Sequence, residues 1–175
     1  MSTKVIFLDR DGVINEEVGY LHEIKDFKFI PGVMESCNYF LSLGYQIIIV
    51  TNQSGIARGL YKEKEFHILN KWMLDKFQEK GVGILDVFFC PHGPDDGCYC
   101  RKPKPGLFIN AKAKYDIDMN NSWMIGDKEA DIEAAYNAGI SKTILVRSGH
   151  KIDEEKSKTK FCLESISFAN RIIKI

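Results

Sequence analysis

The sequence contains no apolar run approaching the roughly 18 residues of a membrane-spanning helix, and the apolar stretch near its start, Val5 to Leu8, is broken by Asp9. Neither a membrane anchor nor a secretory leader is expected. Net charge is also lacking: 24 Lys and Arg balance 24 Asp and Glu, so no overall field draws the chain to nucleic acid or to an anionic membrane. No internal repeat and no low-complexity linker divides it. With 175 residues, 45% of them hydrophobic, the expectation is one domain over residues 1–175 with a core of its own. The five cysteines are an odd number, and three of them stand within eleven residues beside a histidine. That pattern fits metal binding in a reducing compartment better than a disulfide framework, so a cytoplasmic protein is expected.

Five short apolar runs punctuate the chain: Val5 to Leu8, Gln46 to Val50, Asp86 to Phe89, Trp123 to Ile125 and Thr143 to Val146. Longer segments of helical period lie between them, the alternation that builds a parallel sheet with crossover helices. Met34, Cys37 and Leu41 fall at i, i+3, i+7 after Pro31, with Gly44 as the stop. Phe66, Leu69, Met73 and Phe77 form one stripe of a helix from about Lys62 to Lys80. Two more helices are expected at about Pro105 to Tyr115 and Glu129 to Ala138, the latter closed by Gly139. The charged run Lys151 to Lys160 reads as a solvated connection to a terminal apolar helix around Ile166 to Ile173, and Cys37 and Cys162 as core residues on helical stripes. The expected fold class is α/β: a three-layer, doubly wound, Rossmann-like parallel sheet of about five strands with helices on both faces. Ligands of such sheets bind outside the carboxyl ends of the strands.

Strand one ends in Phe7-Leu8-Asp9-Arg10-Asp11-Gly12-Val13. Two aspartates in a turn are commonly a loop-capping pair, but these follow a buried strand and precede a glycine. Later strand ends carry Val50-Thr51-Asn52-Gln53, then Lys102, then Gly126-Asp127 leading to Lys128-Glu129-Ala130-Asp131. Each alone is weak, since a Thr or Lys after a strand is usually a cap or a solvated side chain. Four in order at four strand ends resemble the motifs of the haloacid dehalogenase (HAD) superfamily of phosphotransferases, the first of which is apolar-Asp-x-Asp-Gly-Thr/Val. The resemblance implies a HAD-type sheet. It also makes Asp9 the nucleophile that forms an aspartyl phosphate, and Asp11 the acid that protonates the leaving oxygen and then activates water.

Such chemistry brings like charges together. A dianion about 4 Å from a carboxylate is opposed by roughly 8 kcal/mol at an effective dielectric of about 20, worth about six powers of ten in rate. Cations have to cancel it. Asp9 and Asp127, with a backbone carbonyl at Asp11, offer hard oxygen ligands for Mg2+, and Lys102 supplies a second positive charge. The Thr51 hydroxyl and nearby backbone N–H groups are placed to donate to the transferring phosphoryl oxygens. Asp131, at i+4 from Asp127 on a helix, is either a support for the metal from behind its ligands or an ordinary acid of a first helical turn.

After strand three comes Cys90-Pro91-His92-Gly93-Pro94-Asp95-Asp96-Gly97-Cys98-Tyr99-Cys100. Cys90, His92, Cys98 and Cys100 are the right kind and number of ligands for a closed, structural Zn2+ site in the loop 90–100. Reduced thiols or a redox pair are the plainer reading, against which the added histidine weighs. A metal there would hold Arg101 and Lys102 at the phosphate. With this loop, the stretch from Lys4 to Gly149 resembles the D-glycero-D-manno-heptose 1,7-bisphosphate phosphatases, a zinc-containing HAD branch with no separate cap domain. The matching segments include Gly19-Tyr20, Ile30-Pro31-Gly32-Val33, Thr51 through Gly59, Arg101 through Gly106, and Gly126-Asp127-Lys128. Two departures are a shorter span from His92 to Cys98 and Val13 in place of the commoner Thr.

By this resemblance, Glu17, Val18, Gly19, Tyr20, Thr51, Asn52, Gln53, Ser54, Arg101, Lys102 and Lys128 contact a sugar bisphosphate. Arg101 is the candidate for the phosphate that is not cleaved, with Arg58 as a second candidate. The implied reaction removes the C7 phosphate in the biosynthesis of nucleotide-activated heptose for surface polysaccharide such as lipopolysaccharide. Histidinol phosphate phosphatase shares the motifs and a similar loop and is the alternative; a non-catalytic zinc-stabilised binding module is the alternative from another class. Neutral charge argues against polynucleotide ends as substrate. Without a heptad repeat or an evident apolar patch, a monomer is expected.

Overall fold

The computed structural model describes residues 2–175; Met1, the first residue of the expected domain, lies outside the described residues. β1 (Val5–Leu8), β2 (Gln46–Asn52), β3 (Asp86–Cys90), β4 (Trp123–Gly126), β5 (Lys142–Val146) and β6 (Cys162–Leu163) form one sheet in the order β3-β2-β1-β4-β5-β6. Every neighbouring pair is parallel. The helices are α1 (Val33–Ser42), α2 (Glu63–Glu79), α3 (Gly106–Tyr115) and α4 (Glu129–Asn137). No separate cap domain is inserted among the described residues, and no helix among them is long and apolar enough to cross a membrane.

Strand side chains alternate between faces, and the two cores follow from that. Ile6, Leu8, Ile47, Ile49 and Ile125 point to one face, where Cys37 and Phe40 of α1 and Leu69, Met73 and Phe77 of α2 cover them. Val5, Phe7, Ile48, Val50 and Met124 point to the other, against Leu107, Phe108 and Ala111 of α3 and Ala134 and Ala135 of α4. Fully burying a Leu, Ile, Phe or Met contributes about 1.5–3 kcal/mol, more than the few tenths that separate most helix propensities. Packing of these stripes therefore decides where the helices form.

The sheet has six strands rather than about five. The added strand, β6, is only two residues long and lies beyond a charged segment, so no apolar run announced it. It pairs Leu145 with Cys162 and Val146 with Leu163, which puts Cys162 on a half-buried edge strand and not on a helical stripe. The expected terminal helix is a 3-10 turn, Ile166–Arg171. It packs on α1, where the Ser36 hydroxyl donates to the Ile166 carbonyl and the Tyr39 hydroxyl to that of Ile173, both at 3.1 Å. β2 and β3 run one or two residues further than expected, so Thr51, Asn52 and Cys90 belong to strand ends.

Candidate active site

β1 lies at the centre of the sheet, with Leu8 beside both Ile49 and Ile125. That register brings the residues following each strand to one edge, at the point where the chain turns from one face of the sheet to the other. Asp9 leaves β1 with its N–H still bonded to the Ile125 carbonyl, 3.1 Å. A cavity of about 280 Å³ opens there, lined by Asp9, Asp11, Glu17, Gly19, Tyr20, Asn52, Gln53, Ser54, Arg58, Tyr61, Arg101, Lys102, Lys128, Ala130, Asp131 and His150.

A buried charge cluster forms its floor. The Lys102 ammonium, 3% exposed, lies 3.0 Å from Asp9 Oδ1, 2.6 Å from Asp131 Oδ1 and 2.8 Å from the Val50 carbonyl. Asp9, Asp127 and Asp131 each offer a carboxylate oxygen within 4.8 Å of the others. Burial and the neighbouring Asp131 push the Asp9 carboxyl well above its ordinary range, even though Lys102 pulls it down. The same two causes raise Asp127 to about 6. Burial works against the charge on Lys102, but Asp131 and Asp9 outweigh it and hold the ammonium firmly protonated. Three acids and one cation leave an excess of negative charge, and the Asp127 Oδ1 atom is buried with no hydrogen-bond partner. A divalent cation fits both observations.

Asp131 resolves the choice left by the sequence. Its Oδ2 accepts from the N–H groups of Asp127 and Lys128 at 3.1 Å each, capping α4, while Oδ1 holds Lys102. It is thus a cap of a first helical turn and the partner that positions the buried lysine. The Asp11 side chain turns away from this cluster: Oδ1 accepts from Arg10 and from Asn15 Nδ2 at 3.0 Å, and Oδ2 accepts from Gln53 Nε2 at 3.2 Å.

In the loop after β3, Cys90 Sγ lies 3.7 Å from Cys98 Sγ and 3.5 Å from His92 Nδ1, and that nitrogen is 3.3 Å from Cys100 Sγ. Tetrahedral edges around Zn2+ would be about 3.8 Å for S to S and about 3.5 Å for S to N, given Zn–S and Zn–N bonds of about 2.3 and 2.0–2.1 Å. The four ligands are therefore arranged as the ion requires. Burial raises the Cys90 thiol, whereas hydrogen bonds from the Arg101 backbone and the other two cysteines bring Cys98 down to about 7 despite its partial burial.

Comparison with known proteins gives the family. The HAD-hydrolase-like family model (Hydrolase_like) matches residues 99–167. The chain is 50% identical over 158 residues, 86% of each chain, to the D-glycero-alpha-D-manno-heptose-1,7-bisphosphate 7-phosphatase of Photorhabdus laumondii. It is 45% identical over 157 residues to the beta-anomer 7-phosphatase of the same organism, covering 86% of this chain and 84% of that one. The chain belongs to the heptose-1,7-bisphosphate 7-phosphatase family of HAD-like hydrolases. Its fold matches the crystal structure of the D,D-heptose 1,7-bisphosphate phosphatase of B. bronchiseptica complexed with magnesium and phosphate, with a TM-score of 0.83, 30% identity and 94% of each chain covered.

As a member of that family the chain is a phosphatase, and the structure brings most of its sequence-predicted site residues to one cavity, but not all in the expected way. Val18 is 53% exposed and lies outside the cavity, in a shallower one with Leu21 and His22. Thr51 is fully buried behind the lining, its hydroxyl oxygen accepting from Gln53 Nε2 at 2.9 Å. Asn52 turns its amide to the backbone of Lys102, donating to its carbonyl and accepting from its N–H at 3.1 Å each. It thereby ties β2 to the end of the Cys/His loop.

Three residues at or behind the cavity wall of this phosphatase escaped the sequence reading or were left without a role: Tyr61 and His150 line the cavity, and Arg10 is buried behind it. Arg10 is buried between the two motif aspartates, where its guanidinium holds Asp11 and donates to the Leu21 carbonyl at 3.0 Å. Its position between Asp9 and Asp11 was the available signal. Tyr61 and His150 had none, because neither belongs to a local motif. The His150 backbone N–H donates to Asp127 Oδ2 at 2.9 Å, and its Nδ1 lies 2.6 Å from the same oxygen.

Proposed function

We propose that this phosphatase removes the 7-phosphate of a D-glycero-D-manno-heptose 1,7-bisphosphate, in the making of nucleotide-activated heptose, with Asp9 as the nucleophile. The observation that carries the substrate class is a cavity with cations at two levels. Lys102 is buried at its floor, while Arg101, half-buried, and Arg58 and Lys128, exposed, stand at its rim. One phosphate at the floor and one at the rim suits a bisphosphate, and the forked donors of an arginine suit a phosphate held but not cleaved.

An Asp9 carboxylate oxygen attacks phosphorus and the bond to the sugar oxygen breaks. Asp11 gives that oxygen its proton, then takes one from the water that hydrolyses the aspartyl phosphate. Lys102 stabilises the charge on the phosphoryl oxygens from the cavity floor, with the Thr51 hydroxyl directly behind the lining as the further donor. Asp9, Asp127 and the Asp11 carbonyl would hold Mg2+, which offsets the charge of the phosphate when bound. Cys90, His92, Cys98 and Cys100 would hold a structural Zn2+ that fixes the loop presenting Arg101 and Lys102. The protein acts as a cytoplasmic monomer of one domain, 1–175, on a small molecule.

The test is phosphate release with Mg2+ from both anomers of the bisphosphate and from histidinol phosphate. The α anomer is expected to be preferred, following the higher identity to the α-named relative. Preference for histidinol phosphate would overturn the substrate. Arg101→Ala is expected to raise KM for the bisphosphate about tenfold while changing a small monophosphate by less than about twofold; equal changes would remove Arg101 from the second phosphate.

The zinc assignment has its own outcome. Stripping zinc with a strong chelator and restoring Mg2+ should release one ion per chain and lower Tm by about 10 °C, the size expected for about 3–4 kcal/mol in a chain of this length. Elemental analysis and calorimetry check it, and a chain that purifies without zinc yet melts at the same temperature after chelation would refute the site.

A further inference from the structure

The amide of Gln53 has every hydrogen-bonding position occupied by the protein itself. Nε2 donates to Asp11 Oδ2 at 3.2 Å and to Thr51 Oγ1 at 2.9 Å, which uses both its hydrogens. Oε1 accepts from the Tyr61 hydroxyl at 2.5 Å and from Arg10 at 3.5 Å. Arginine has no acceptor, so the atom facing it must be the amide oxygen, and the nitrogen is thereby directed at Asp11. Burial pushes the Tyr61 phenol up to about 12, which leaves it a donor at neutral pH.

Tyr61 is itself built in. A Cβ at Gly55 would come within 2.1 Å of its ring, so only glycine lets the ring lie there. His22 stacks on Tyr61 with ring centroids 5.0 Å apart. Gln53 is 3% and Tyr61 5% exposed. An amide this saturated has nothing left to offer a substrate hydroxyl.

From this geometry we infer that Gln53 and Tyr61 are positioning residues, a relay that sets the orientation of Asp11 and Thr51 together, and that Gln53 is not a substrate contact. Tyr61 fixes which way the Gln53 amide faces; Gln53 then holds the acid that serves the leaving oxygen and the hydroxyl that serves the phosphoryl group. The inference rests on the reading of Asp11 as that acid.

The test uses the full chain with Mg2+ and compares Tyr61→Phe and Gln53→Met with wild type. Tyr61→Phe keeps the ring over Gly55, and both variants are accepted only with Tm close to wild type. Binding is measured by calorimetry in an Asp9→Asn background, where the heptose bisphosphate is not turned over. The relay predicts a Kd within about twofold of the parent, whereas loss of a substrate contact would weaken it about tenfold.

Turnover is read as kcat/KM, which reports the step in which the leaving group departs. On the bisphosphate, whose sugar alkoxide needs a proton, the loss should be about tenfold. On p-nitrophenyl phosphate, whose phenolate leaves without one, it should be less than about threefold. Equal losses on the two esters, or a weakened Kd, would overturn the relay. A wild type inert toward the bisphosphate would instead overturn the proposed substrate; the leaving-group comparison then uses glycerol phosphate as the alkyl ester and decides the relay in the same way.

Discussion

Asp9→Asn is expected to lower kcat by about four powers of ten or more while leaving the protein folded. The amide matches the carboxylate in shape but lacks its nucleophilic oxygen, and no other carboxylate of the cluster is free to replace it. Asp131 has its oxygens committed to Lys102 and the start of α4, and Asp127 lies under the backbone of Gly12 and Gly149. Stability gives the second readout. A carboxyl whose folded pKa is raised contributes stability that is present below its unfolded value near 3.9 and lost as pH rises through the folded value. Asp9 is raised by burial and by Asp131, so at pH 7 without divalent metal the variant should melt at or above the wild-type temperature. Phosphate release that vanishes in this variant identifies an enzyme. A wild type with no phosphatase activity toward any ester, unaffected by the substitution, would favour a zinc-stabilised binding module instead.

Lys102→Met is expected to be the most destabilising single change, by about 3–5 kcal/mol, because it strands buried carboxylates without their cation. Thermal unfolding should show a fall of about 10–15 °C, together with a loss of about a thousandfold in kcat. The methionine keeps most of the volume, so the cost is electrostatic. Two controls isolate it. Adding Asp131→Asn should recover part of the lost stability, since the partner acid no longer needs a cation, giving a non-additive pair. Lys102→Arg should not restore activity, because a planar guanidinium cannot occupy the site where one ammonium reaches Asp9, Asp131 and the Val50 carbonyl. Additive effects of Lys102→Met and Asp131→Asn would contradict the pairing.

Much of the site was legible because the chemistry falls where strands end, and strand ends are where periodicity stops. Asp9, Thr51, Asp127 and the Cys/His loop each follow an apolar run that can be seen without a structure. The spacing of Cys90, His92, Cys98 and Cys100 is local, so its geometry was implicit in a single loop. Lys102 to Asp131 is different: a residue of the loop after β3 and one in the first turn of α4 meet only in the folded sheet, where β4 lies beside β1, and the i+4 relation of Asp131 to Asp127 left it between metal support and an ordinary first-turn acid without pointing to the lysine. Tyr61 was invisible for a similar reason, since its partner Gln53 is reached across a tight turn containing Gly55. β6 and the terminal 3-10 turn were misjudged because two residues cannot show a period, and because Ile166, Ala169 and Ile173 bury equally well in a tighter turn.

The central place of β1 also governs the order in which the protein can be made. Its neighbours on either side come from residues 46–52 and 123–126, and the Val5 N–H reaches a hydroxyl 117 positions away at Ser122. A ribosome has therefore released most of the chain before the first strand acquires its second neighbour. Until then one edge of β1 is bare and Asp9 lacks Asp127 and Asp131, so a nascent amino-terminal portion carries this carboxylate without the buried acids that raise it in the folded protein. Catalytic competence arrives in one late step, when β4 closes the gap.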